Sequence, residues 1–317
     1  MTPAPTMVAL VADYLARRRS LGFALRIEAG QLRSFARFAD ATGHSGPLTL
    51  DLITRWVTQP GRCIRQFPGR RLDVIRPFAR DRACVDPANE VPPAGLFGPP
   101  RRRAVRHIYS DAQLVALVAE ARKLGPAGGL RPATYATLFG LLAACGLRVS
   151  EALRLTQADV DLGRSLLTVR MTKFRKSRLV PLHATTADAL RAYAQRRDHI
   201  VPRLTTTAFF VTGNGAALPY STVQHVFKCL RVLLGWNGAD PLPRIHDLRH
   251  TFACRRLGAW YAIGVDAAVS VAALATYLGH AHITDTYWYL TGSPELLALA
   301  AQRFELFAAP AATPEAT

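Results

Sequence analysis

A mainly α chain with one small β element, in two domains, is the fold class these 317 residues predict. Three observations carry it. Apolar residues recur at helical spacing through most of the chain. A single stretch, residues 166–182, alternates and is rich in Leu and Val. Between the two lies a segment, 87–106, dense in Pro and Gly. Half of the residues are hydrophobic, and the length suffices for two buried cores.

Residues 1–86 predict a separate all-α domain. Val8, Val11, Ala12 and Leu15 share one helical stripe, and Leu32, Phe35, Ala36 and Ala39 another. Gly43-His-Ser-Gly-Pro47 is a turn, and Thr49 opens a further helix. In 87–106, Pro87, Pro92, Pro93, Pro99 and Pro100 rule out a continuous helix, so this stretch predicts a linker, ending in Arg101-Arg102-Arg103 and Arg106.

Ser110 then caps a helix whose stripe is Leu114, Leu117, Val118 and Ala121. Thr134–Cys145 predicts a buried helix stopped by Gly146, and a new helix begins near Ser150. Residues 166–182 predict a β-hairpin with a basic turn, Lys173-Phe-Arg175-Lys176-Ser-Arg178. The remainder of the α+β second domain, 107–308, predicts helices. Ser293-Pro294-Glu295 opens the last, with Leu296, Leu299, Ala300, Phe304 and Phe307 as its apolar stripe. Residues 309–317 form a Pro/Ala-rich tail.

The net charge of +18 points to a polyanionic partner. It is spread over the chain: residues 1–106 carry 18 Arg, no Lys and 8 acids. Nucleic acid is the favoured partner over an acidic membrane surface. Arg17, Arg18 and Arg19, the run Arg101–Arg103, and Arg175 with Lys176 are the candidate DNA contacts, against the plainer reading of a solvated face. No apolar run reaches the roughly 18 residues that span a bilayer, and the N-terminus lacks the pattern of a signal peptide. A soluble cytoplasmic, nucleoid-associated protein is expected. Five dispersed cysteines without a C-x-x-C argue against a disulfide framework.

Six residues form a constellation suited to phosphodiester chemistry: Arg148, Lys173, His246, Arg249, His280 and Tyr289. Arginine forks hold phosphate oxygens. The chain has 36 Arg and 4 Lys, so a lysine at a hairpin tip suits a proton donor, a task arginine cannot perform. Lys176 is its rival, and a solvated turn the plain alternative. Glu151, one helical turn after Arg148, either steadies that guanidinium or is a surface ion pair. A phenol is a poor nucleophile with its pKa near about 10, and surrounding cations favour its phenolate. His246, His250 and Cys254 fall at i, i+4, i+8, as metal ligands do, but Arg249 among them would repel an ion and no carboxylate completes the set. No metal is expected.

These motifs resemble the tyrosine recombinases of the lambda-integrase and Xer type. The residues that carry the resemblance are Gly146-Leu-Arg148-Val-Ser-Glu151, the hairpin Thr172-Lys173 through Pro181-Leu182, His246-Asp-Leu-Arg249-His-Thr-Phe-Ala, Leu278-Gly-His280 and Tyr289. It covers about residues 107–305, and the helical N-terminal domain resembles the family's core-binding domain.

The resemblance implies that Arg148 and Arg249 grip the scissile phosphate, Lys173 protonates the leaving 5′ oxygen, and His246 acts in proton transfer or positioning. His280 would orient the nucleophile, and Tyr289 would form a 3′-phosphotyrosyl link, with Glu151 in support. The nine-residue step from His280 selects Tyr289 over Tyr287. The resemblance also implies a clamp around duplex DNA, a homotetramer on two sites, companion recombinases in some systems, and no cofactor. The final helix would dock on a neighbouring subunit, or alternatively on its own domain.

Two features depart from the family pattern. Thr172 and Phe174 flank Lys173 where glycines are usual, and Leu290-Thr291 follows the tyrosine. Tyr287-Trp-Tyr-Leu-Thr-Gly-Ser-Pro resembles a transposon-borne subgroup that includes recombinases encoded in trios. A catalytically silent DNA-binding accessory protein and a type IB topoisomerase-like enzyme are the competing readings.

Overall fold

Caps and stops written into the sequence set where the helices begin and end. Thr6 accepts a bond from the Ala9 amide and opens α1 (Met7–Ser20), and Thr49 accepts from Leu52 and opens α3 (Leu50–Thr58). Between them lies α2 (Arg26–Ala41), and α4 (Pro68–Val85) follows. The computed structural model describes residues 5–59, 68–98, 105–170 and 177–290, with Ala298 and Ala301. The chain divides into two compact units, Met1–Arg103 and Ala104–Thr317.

The first unit is all α. Phe35, Ile53, Trp56, Ile75 and Phe78 fill its core, with the Phe35 ring edge-on to Trp56 at 5.5 Å. Part of the predicted linker belongs to this unit. Asn89 Oδ1 accepts from the Leu48 amide at 2.9 Å, Arg76 donates to the carbonyls of Pro92 and Pro93, and Phe97 packs on the core. The prolines do exclude a helix here, but carbonyls left free by prolines are good acceptors for an arginine on a neighbouring helix.

In the second unit, α5 (Asp111–Ala121) starts with a full capping box between Ser110 and Gln113. The central helix is α6 (Leu130–Cys145), buried through Leu138, Phe139 and Leu142 and packed against α5, α8 (Ala184–Ile200) and α10 (Asp247–Ala262). After the short α7 (Val149–Ala152) comes an antiparallel sheet, β1 (Val160–Asp161), β2 (Leu166–Val169) and β3 (Arg178–Pro181). The β2–β3 pair is the expected hairpin, with Leu167 opposite Val180 and Val169 opposite Arg178. The sequence reading did not anticipate β1, which is only two residues long. Leu167, Val169 and Val180 turn into the core.

The unit continues with α9 (Tyr220–Leu233), α11 (Ala267–Leu278) and α12 (Thr284–Tyr287). A second apolar cluster joins Ala253, Leu257, Leu274 and Leu278 to Tyr289. The stripe of the predicted C-terminal helix lies outside the described residues. Among the described residues, no helix is long and apolar enough to cross a membrane.

Candidate active site

Two glycine stops build the frame. Helix α6 ends at Gly146, with φ of +60°, and α11 ends at Gly279, with φ of +68°. At Gly146 the space is also taken: a Cβ there would overlap Cδ1 of Phe252. Both ends aim carbonyls at one guanidinium. Arg249, 2 % exposed, donates through Nη1 to the Gly146 carbonyl and through Nη2 to the Leu278 carbonyl, each at 2.8 Å. A buried cation thus sits between the negative ends of two helices. Desolvation still pulls its pKa down to about 10, which leaves it charged at neutral pH.

Glu151 is the second organiser. Its carboxylate, on α7 and 2 % exposed, accepts Arg148 Nη1 at 2.7 Å and the Arg148 backbone amide at 2.9 Å. Arg178, at the start of β3, grips the same carboxylate with both terminal nitrogens, at 2.8 and 3.2 Å. Arg249 stands 3.8 Å away. Burial would raise the Glu151 carboxyl, but the hydrogen bonds and charge of Arg178, with help from Arg148 and Arg249, outweigh it and hold the group near 2. Three guanidiniums around one carboxylate leave the site electropositive.

His280 has a defined tautomer. Its Nε2 faces Arg249 Nη2 at 3.1 Å, and a guanidinium only donates, so Nε2 accepts. The proton of the neutral ring then sits on Nδ1 and is donated to Thr286 Oγ1 at 2.7 Å. Tyr289 stacks on this imidazole, with centroids 5.9 Å apart and planes 17° apart, and packs beside His250 at 5.1 Å. The Tyr289 phenol is near enough to Arg249 to support its charge.

All three histidines are held to about 4, by desolvation first and by arginine charge next: Arg249 for His246 and His280, Arg106 for His250. His246 precedes α10 and is exposed, whereas Arg249 and His250 on the first turn of that helix are buried.

Arg148, Glu151, Arg249, His280 and Tyr289 are therefore brought together, with His246 alongside. Tyr287, the rival phenol, is 47 % exposed, whereas Tyr289 is 7 % exposed. Lys173, Arg175, Lys176 and Arg101–Arg103 lie outside the described residues. In the first unit, Arg17 spends its guanidinium on Asp81 and Asp13, and Arg18 lies over the Phe23 ring. Arg19 is exposed on the last turn of α1. Among the described residues, no group of three or more His, Cys, Asp or Glu is placed to hold a metal ion.

Sequence reasoning missed Arg178 and Thr286. For Arg178 a signal existed: it lies two residues before the buried Val180, on the core face of its strand, where an arginine must be paired.

The phage integrase family model matches residues 109–295. This chain belongs to the phage integrase family. The family is that of the tyrosine recombinases, and the enzyme class follows: a site-specific recombinase. The integrase/recombinase y4rB of Sinorhizobium fredii is 41 % identical over 93 % of the chain and 96 % of its own length. Tyrosine recombinase XerC of Rhizobium meliloti is 30 % identical over 70 % of the chain and 65 % of its own length. Among solved structures, the Tn1549 transposon integrase in complex with transposon right end DNA shares the fold at a TM-score of 0.68 and 16 % identity, over 96 % of this chain and 100 % of that one.

Proposed function

We propose that this tyrosine recombinase cuts and rejoins DNA of a mobile element by transesterification at Tyr289. The observation that carries the reading is one contact set: a phenol stacked on His280, beside Arg249 and within the electropositive group that also holds Arg148. Arg148 and Arg249 hold the non-bridging oxygens of the scissile phosphate and stabilise the charge that grows during displacement.

The phenol oxygen of Tyr289 bonds to phosphorus as the bond to the 5′ oxygen breaks. Its proton passes to a neutral imidazole, and the leaving oxygen takes one from Lys173. An arriving phosphate dianion equivalent in the transition state raises the pKa of the nearby histidines, which is what turns weak bases into proton acceptors. The phosphodiester is exchanged for a 3′-phosphotyrosine, so a 5′ hydroxyl of another strand can reverse the step with no outside energy source.

Tyr289 is 7 % exposed, so DNA binding would open the Tyr289 segment to bring the phenol to the phosphate. The first unit and the basic segment 101–103 would clamp the duplex. Four protomers would act on two sites, with or without companion recombinases, in the cytoplasm at the nucleoid. The mobile-element context rests on the likeness to y4rB and to a transposon integrase.

The test starts by selecting bound duplexes from a random library with the full-length protein. A nicked suicide version of a selected duplex should then trap a covalent protein–DNA adduct. Tyr289→Phe is expected to abolish the adduct and Tyr287→Phe to retain it. Binding without adduct on every selected duplex would leave an accessory DNA-binding protein instead.

A further inference from the structure

Glu151 carries one more arginine than the phosphate-gripping pair requires. Arg178 takes both carboxylate oxygens, at 2.8 and 3.2 Å. Its side chain is 12 % exposed, against 29 % for Arg148. It also lies beside the end of α11: a Cβ at Gly279 would come within 2.7 Å of Arg178 Nη1. Gly279 is the residue before His280. One side chain therefore touches the carboxylate that holds Arg148 and the backbone that carries His280. It does so from the first residue of β3, five residues after Lys173 in the chain.

We propose that Arg178 is a positioning residue, which sets Arg148 for the phosphate by occupying Glu151. This rests on the transesterification reading above. Arg148 and Arg178 compete for the same carboxylate acceptors. A buried carboxylate with a single arginine neighbour draws that arginine into a two-bond fork. With Arg178 on both oxygens, Arg148 meets the carboxylate through Nη1, and among the described residues its Nη2 and Nε make no hydrogen bond. Those are the donors a phosphate needs. Without Arg178, the fork closes on Arg148 and the donors turn inward.

Arg178 itself faces the protein and is not a phosphate ligand. Its two terminal nitrogens are bound to Glu151, and its Nε is buried, with no hydrogen-bond partner among the described residues. The role is distinct from packing, because it acts through the charge on Glu151.

The experiment measures single-turnover adduct formation by the full-length protein on a selected nicked duplex, with Kd on the intact duplex measured in parallel. Arg178→Gln is expected to slow cleavage by about 10²-fold, the scale of a misplaced reacting group, while Kd on the intact duplex changes far less than the rate. Arg178→Lys should recover part of the rate.

The double variant Glu151→Gln with Arg178→Gln removes the competition at its source, and should cleave no more slowly than Glu151→Gln alone. It also removes the unpaired buried carboxylate, so it and Arg178→Lys decide the matter if thermal unfolding shows that Arg178→Gln does not fold. A wild-type rate in Arg178→Gln, or a double variant slower than Glu151→Gln, would each overturn the proposal alone. No adduct from the wild type would overturn the transesterification reading, and this proposal with it.

Discussion

Arginines in the first unit and arginines around Glu151 are chemically identical, yet the two groups do different work. In the first unit they are dispersed and mostly solvated, and those with partners are tied to backbone carbonyls, surface acids and aromatic rings. Arg71 donates to the carbonyls of Trp56, Val57 and Gln59 at the end of α3 and lies over the Trp56 ring at 4.6 Å. Arg17 is paired with two aspartates. Around Glu151, three guanidiniums converge on one buried carboxylate, and two helix ends hold one of them. Net charge announces a polyanion in both units. Only convergence and burial make a site that can stabilise one phosphate at a defined place.

Removing the most buried arginine should break the contrast most sharply. Arg249→Ala is expected to lower adduct formation by about 10²–10³-fold. It should also cost about 1–3 kcal/mol of stability, because the Gly146 and Leu278 carbonyls lose their donor. Single-turnover cleavage and urea unfolding measure the two effects separately. Loss of activity no larger than that of Arg71→Ala would erase the distinction between the units.

The site should also mark itself by pH. His250, 5 % exposed, is held near 4 against an ordinary 6.5. Between those values the unfolded chain binds the proton that the folded site refuses. Stability is therefore fully present above pH 6.5, falls as pH drops through the window, and levels below 4. The size is up to ~3 kcal/mol for this ring. His250→Gln should lower the slope of that limb in unfolding curves between pH 7 and 4, with His246 and His280 supplying the rest, and an unchanged slope would show that this ring does not refuse the proton.

A smaller change is expected from Arg71→Ala. It should cost about 1–2 kcal/mol of stability through lost carbonyl bonds and packing and leave adduct formation unchanged. Smallest of all is Arg17→Ala, whose pairs are exposed: less than about 1 kcal/mol in unfolding. Titrating DNA binding against salt refines the comparison. Arg19, exposed and without an ion pair among the described residues, should lower the slope by about one phosphate when changed to Ala, whereas Arg17→Ala should not.

Much of this was legible beforehand. Helical spacing located the helices, alternation found the β2–β3 hairpin, and Ser110 and Gly146 marked a start and a stop. The constellation of Arg148, Glu151, Arg249, His280 and Tyr289 stood in the sequence as motifs, because reactive residues sit at element ends whose local chemistry is readable. Arg178 was hidden in a basic run, where its charge looked like every other. Its strand position next to Val180 was the one clue, and composition drowned it. The division at 87–106 was read from prolines. The boundary between the compact units, after Arg103, lies within that stretch, and hydrogen bonds from Arg76 and packing by Phe97 hold residues up to 97 on the first unit.

The sequence by itself determined the types of group available, their order, and the helices and strands that present them, since caps, periodicity and glycine stops act over a few residues. Tertiary structure decided which groups share a partner. Gly146 and Arg249 are far apart in the chain and meet through 2.8 Å. The His280 tautomer, the three-arginine hold on Glu151 and the burial of Tyr289 follow from such meetings. Hydrogen bonds and desolvation act through space, and that distance is not written in the spacing of residues.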